Sequence, residues 1–178
     1  MKYSVERAVE VLSNTPDVFK TMLRGTGEAW SHNNYGRNTW SVFDIVGHLI
    51  HGEKTDWIPR MRIILRYGKS RPFDPFDRFA QETESKGKAI SALLAEFARL
   101  RGENIEALLA MKLTENELDE YGTHPALGQA TLRELLAAWV VHDLNHVSQM
   151  AKAMAFQYEE QVGPWRAYLS ILKPPDPR

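Results

Sequence analysis

The sequence predicts an all-α protein: an antiparallel four-helix bundle with a short extra helix at the C-terminus. Three observations predict it. Apolar residues recur at helical spacing along nearly the whole chain. Ser41/Asp44, Thr114/Glu117 and Thr131/Glu134 place a hydroxyl three residues before a carboxylate, the mark of a helix start. No run alternates convincingly in the manner of a strand.

With 178 residues, the chain is long enough for one domain with a real core and short for two. The expectation is a single domain over residues 1–172 and a disordered tail, "KPPDPR", over 173–178. The first helix has Val5, Ala8, Val9 and Leu12, then Phe19, Met22 and Leu23, on one face. Pro16 kinks it or starts a second segment, and Gly25 and Gly27 end it. After the polar loop "SHNNYGRNTW", Ser41 caps a second helix, from about 41 to 68 with a bend at Pro59. "GKSRPFDPFDRF" is loop. A third helix covers about 80 to 111, weakened around Gly87, and a short one runs from Thr114 to about Glu120. "YGTHPALGQA" reads as loop, and Thr131 opens a fourth long helix to about 158. Gly163 and Pro164 break the chain before the aromatic segment "PWRAYLSIL". Helices this long bury their apolar stripes only against each other, so a bundle is the default architecture.

Charge and composition exclude several functions. Lys and Arg total 22 against 23 Asp and Glu, a net charge of −1, so no global basic field recruits nucleic acid. The absence of cysteine removes disulfides, thiolate ligands and a cysteine nucleophile together. The N-terminus lacks the apolar core of a signal peptide, and no run approaches a membrane span. The expectation is a cytoplasmic protein with neither a membrane nor a nucleic-acid partner.

The six histidines carry the functional signal. In "AAWVVHDLNHVSQM", His142 and His146 stand four apart within an apolar run. At about 100° per residue, both fall on or beside the stripe formed by Leu132, Leu135, Leu136, Trp139, Met150 and Met154. Rings at i and i+4 reach a common point. Two readings remain open: core histidines satisfied by hydrogen bonds, or two ligands of one metal ion. A metal needs a third ligand from another helix, and His48, in "WSVFDIVGHLIHGE", is the candidate. Gly47 beside it reads equally as tight helix packing or as room for a ligand. His51 reads as a solvated or interface histidine, or as a group supporting the site. His32 and His124 fall in loops. A zincin needs H-E-x-x-H, but the string here is H-D-L-N-H; a di-iron bundle needs Glu-x-x-His, but Ile45 stands three before His48.

"WSVFDIVGHL", "HDLNHVSQM" and the helix order between them resemble the DinB/YfiT-like superfamily of metal-dependent four-helix bundles, and the "GPWRAYL" ending resembles one subgroup. The resemblance covers nearly the whole chain. It implies a divalent metal held by His48, His142 and His146, with Zn or Ni the expected ions. It also implies a homodimer, and activities such as transferases and isomerases that use low-molecular-weight thiols. A three-histidine site leaves a coordination position open, where a metal activates water or a thiol against a small electrophilic substrate. The expected function is thus a metal-dependent transferase or hydrolase acting on a small molecule, with a low-molecular-weight thiol as a candidate cosubstrate. The alternative is a non-enzymatic, metal-stabilised binding or stress-response module. Glu53 reads as a base or as a solvated helix glutamate. Asp143 and Asn145 read as ligand supports or surface polar groups. Trp40, Trp57, Trp139, Trp165 and Tyr121 read as core or pocket lining.

Overall fold

Ser4 opens the first helix, α1 (Val5–Leu23), its Oγ accepting from the Arg7 N–H. The computed structural model describes residues 1–173, so the expected tail lies outside the described residues except for Lys173. Pro16 sits inside α1 without ending it. Its ring nitrogen cannot donate to Leu12, and the freed Leu12 carbonyl accepts instead from Arg101 at 2.9 Å. A short turn, α2 (Ala29–His32), precedes α3 (Val42–Thr55). Ser41 and Asp44 cap α3 reciprocally: the Asp44 N–H donates to Ser41 Oγ at 3.2 Å, and the Ser41 N–H to Asp44 Oδ2 at 2.9 Å.

The expected second helix is in fact two, α3 and α4 (Trp57–Tyr67), broken at Asp56. Pro59 is the cause, although the break falls three residues before it. Its ring would collide with the Thr55 carbonyl, so α3 stops there and Pro59 occupies the first turn of α4, where no intrahelical donor is needed. The third helix also divides. Gly87, at φ +77, separates α5 (Gln81–Glu84) from α6 (Ile90–Ala110). Next comes α7 (Glu115–Leu118), capped by Thr114 as expected.

"YGTHPALGQA" is not loop but an antiparallel hairpin, β1 (Tyr121–His124) with β2 (Gly128–Thr131). It lacks the alternating apolar pattern of a strand because the one buried position of β1 is Gly122, and β2 buries no residue fully. Gly122 lies so close to Phe73 and Ile64 that a Cβ there would come within 2.7 Å of both. Thr131 then caps the long helix α8 (Leu132–Ala155). The extra C-terminal helix is instead a pair of 3₁₀ turns, Gly163–Tyr168 and Ser170–Leu172, the first beginning at a glycine with φ +53.

Side-chain pairings fix the helix directions. Along α1, Leu12 meets Arg101 and Phe19 meets Phe97, so α1 and α6 run antiparallel. Along α3, His48 faces His142 while Glu53 faces Trp139, so α3 and α8 are antiparallel as well. Two apolar clusters fill the bundle. One gathers Leu12, Met61, Ile64, Leu136 and Trp139; the other gathers Phe19, Ile45, Leu49, Phe97 and Met150. No helix among the described residues is long and apolar enough to cross a membrane.

Candidate metal centre

The pairing of α3 with α8 brings His48, His142 and His146 together. His142 and His146 stand one turn apart on α8, with Nε2 atoms 3.0 Å apart, and His48 Nε2 reaches across to His142 Nε2 at 3.3 Å. One ligand atom from each of the three lies within 4.8 Å of the others. On a tetrahedral zinc, with nitrogens about 2.0–2.1 Å from the metal, neighbouring nitrogens would stand roughly 3.3 Å apart.

Hydrogen bonding alone does not satisfy this cluster. An imidazole nitrogen has one in-plane direction for bonding: it either donates one proton or offers one lone pair. His142 Nε2 is close to two other such nitrogens, and its single proton or lone pair can point straight at only one of them. A central cation would accept all three lone pairs. His146 is oriented for this, with its Nδ1 2.9 Å from Gln149 Oε1. The glutamine oxygen can only accept, so Nδ1 carries the proton and Nε2 the lone pair. Among the described residues, His48 Nδ1 and His142 Nδ1 are buried without a hydrogen-bond partner.

The centre holds its histidines neutral. Burial lowers the pKa of His48 to about 3, with the neighbouring His146, Arg78 and His51 adding to the effect. Burial likewise lowers His142 to about 2, helped by His146, His48 and Arg101. His146 is also lowered by burial. Neutral imidazole is the form that ligates a metal.

Beneath the histidines lies a buried ion network that the sequence reading does not contain. Arg101, 1 % exposed, grips Asp143 through both terminal nitrogens, at 2.5 and 3.0 Å. Its Nε and Nη2 donate to Glu53 Oε1 at 3.1 and 2.7 Å. Asn104 donates to the other Glu53 oxygen at 2.9 Å, and the Trp139 indole donates to Glu53 Oε1 at 3.3 Å. Burial opposes the charge on Arg101, but the carboxylates of Glu53 and Asp143 outweigh it and hold its pKa above the ordinary value. Glu53 is therefore neither a solvated glutamate nor a base facing substrate. Asp143, flanked in sequence by a proposed ligand, faces the interior. Arg101 was legible in one respect: it stands four residues from both Phe97 and Ile105, on the buried stripe of α6.

Above the histidines opens a cavity of about 520 Å³. Trp40, Phe76, Asn145 and Gln149 line it, together with Asp56, Arg60, Arg78 and the hairpin residues His124 and Leu127. Trp40 stacks at 15° on His146 and lies 4.7 Å from His48. Burial raises Asp56 to about 6 against the pull of Arg60. His51 is buried, its Nδ1 3.1 Å from Glu84, and lies outside the triad. His32 stacks on Phe43, away from the centre. Trp57 and Trp139 are core residues stacked on each other, whereas Trp165 and Tyr121 are exposed. Gly47 reflects helix packing: a Cβ there would lie 2.8 Å from the Gln81 Cβ of α5.

Residues 11–150 match the family model of the DinB superfamily. Among solved structures, the chain is similar to YfiT from Bacillus subtilis, a probable metal-dependent hydrolase with an unusual four-helix bundle topology. The two are 23 % identical, with a TM-score of 0.73 over 92 % of this chain and 90 % of that one. No curated protein matches. The chain belongs to the DinB superfamily.

Proposed function

We propose that in this DinB-superfamily chain His48, His142 and His146 hold one divalent cation, with Zn or Ni the expected ion, and that the protein is a metal-dependent hydrolase or transferase. The observation that carries this reading is the convergence of three neutral imidazoles at the floor of an open cavity. Among the described residues the group contains no fourth His, Asp or Glu. A metal closed off by a fourth protein ligand would favour a purely stabilising role, whereas three histidines lining the cavity would leave a coordination position for a small molecule. A cation there lowers the pKa of water or of a low-molecular-weight thiol, so that either can attack a small electrophile near neutral pH. The chain's own residues prepare the site. Gln149 fixes the His146 tautomer, Trp40 and Phe76 cover the imidazoles with apolar surface, and the low pKa values keep the ligands free of protons. The cysteine-free chain supplies no thiol of its own, which fits a thiol entering as a cosubstrate.

Element-resolved metal analysis of untagged protein, followed by turnover assays on esters, amides and thiol-plus-electrophile pairs, tests this. The expected result is one metal per chain and metal-dependent turnover in at least one assay. A fully loaded protein inert across the panel would instead make the metal a structural brace.

A further inference from the structure

The wall of the cavity is as distinctive as its floor. Its lining contains two arginines and one carboxylate, Asp56, with no lysine or glutamate. Arg60 is 93 % buried, since only 7 % of it is exposed, yet it is only partly engaged. Its Nη1 pairs with Asp56 at 2.7 Å, while its Nε is buried without an acceptor among the described residues. Arg78 makes no ion pair among the described residues; it rests over the Trp40 ring at 5.8 Å, at the cavity rim. His124 adds a third donor. Its Nδ1 accepts the Ala126 and Leu127 N–H groups, each at 3.1 Å, which leaves the proton of the neutral ring on Nε2. Burial, with Arg60 nearby, lowers the His124 pKa.

Among the described residues Arg60 Nε has no acceptor and Arg78 has no ion-pair partner, so the two guanidinium charges of the lining face a single carboxylate, Asp56. Leaving a buried guanidinium nitrogen without a partner is costly, and an anion is the acceptor such groups bind best. We propose that Arg60, Arg78 and His124 form an anion subsite, so that the substrate is a small organic anion whose carboxylate or phosphate sits there while its reactive end faces the three histidines. This rests on reading the cavity as a substrate pocket and adds the substrate class. The arginines and the hairpin histidine lie on elements that contribute nothing to the triad, so anion binding and metal binding are separable.

The test titrates the metal-free and the metal-loaded full chain with glutarate, inorganic phosphate and glutaramide, the uncharged analogue of glutarate. Isothermal calorimetry and the change in intrinsic tryptophan fluorescence, with Trp40 in the cavity lining, report binding. At least one anion is expected to bind with and without metal, glutaramide in neither case, and the better anion identifies the group recognised. Arg60→Gln should weaken binding about tenfold or more, the loss of one charge-assisted contact. Because Arg60→Gln leaves Asp56 unpaired, Arg78→Gln at the exposed rim serves as the second variant. It should weaken binding several-fold with an unchanged Tm, while Arg99→Gln, remote on α6, should have no effect. Equal binding of glutaramide, or anion binding that needs the metal and ignores both Arg60→Gln and Arg78→Gln, would overturn the subsite. A chain that binds no metal but still takes anions through Arg60 and Arg78 would sink only the metal reading.

Discussion

At the scale of single residues, the centre depends on His142 Nε2, which lies 3.3 Å from one imidazole nitrogen and 3.0 Å from another. His48→Ala removes the ligand that α3 contributes. Metal affinity should fall at least a hundredfold, read by competition with a chromophoric chelator, whereas a core histidine would change only stability. Protonation gives an independent check. Three ordinary imidazoles with pKa near 6.5 would lose roughly 60-fold in metal affinity between pH 8 and pH 6. Here burial has already lowered His48 to about 3 and His142 to about 2 and lowers His146 as well, so the affinity should change by less than about fourfold over that range, the loss a single ordinary imidazole would give. A steep loss would show that the rings titrate normally. The same shifts affect the stability of the metal-free protein. The unfolded chain binds protons at these positions below about pH 6.5, and the folded chain does not until near pH 3. Stability should therefore be unaffected by these groups above pH 6.5 and decline as pH falls below it, by up to about 1.4 kcal/mol per unit for each histidine. The α8 pair was legible because i,i+4 spacing on an apolar stripe is a one-dimensional pattern. His124 and Arg60 were not, because nothing local in the sequence points a hairpin residue and a helix arginine into the same cavity.

At the scale of elements, the helices are held together by the polar groups between them as much as by their stripes. The Arg101 guanidinium lies 5.0 Å from Phe97 in one apolar cluster and 5.1 Å from Trp139 in the other, and binds α1, α3 and α8 through Leu12, Glu53 and Asp143. Arg101→Met would leave the buried Asp143 carboxylate and the Leu12 carbonyl without their donor, and Glu53 with only the neutral donors Asn104 and Trp139. It should destabilise the protein by about 3–5 kcal/mol in urea denaturation, the range for breaking a buried pair by removing one partner. A loss below about 1 kcal/mol would mean that water replaces the guanidinium. Pro16 belongs to the same device: read alone it signals a kink, but its missing donor is what frees the Leu12 carbonyl for Arg101. Gly47→Ala opposes helix propensity to packing. Alanine favours the helix by roughly 0.5–1 kcal/mol, but its Cβ would collide with Gln81 and Ser85. Overpacking of that kind costs about 1–3 kcal/mol, so a net loss of stability is expected, with α5 displaced. The capping pairs made the starts of α3, α7 and α8 readable to the residue. The Asp56 break and the hairpin escaped because the first depends on a ring clash one turn upstream of Pro59, and the second on Gly122 fitting against Phe73 and Ile64.

At the scale of the whole molecule, a metal at the triad would act as a crosslink between α3 and α8, helices that meet across 94 positions of sequence at His48 and His142. The order of the helices and their antiparallel arrangement were legible from their stripes, but which helix faces which was not, since loop length alone does not say which neighbour a helix returns to. The crosslink makes the pairing of α3 with α8 thermodynamically visible. A ligand that binds only the folded state, at about a hundred times its Kd, stabilises it by about 2.7 kcal/mol. For a domain of this size each kcal/mol raises Tm by about 2–4 °C, so saturation should raise Tm by roughly 5–11 °C and a chelator should reverse it. His142→Ala and His48→Ala remove ligands from opposite sides of the crosslink, and each should abolish the metal-dependent rise. If His48→Ala alone retained it, the ion would be bound within α8 and would not join the two helices. The proposed cavity would then lie beside a metal that does not face it, and the hydrolase or transferase reading would fail while the fold remained.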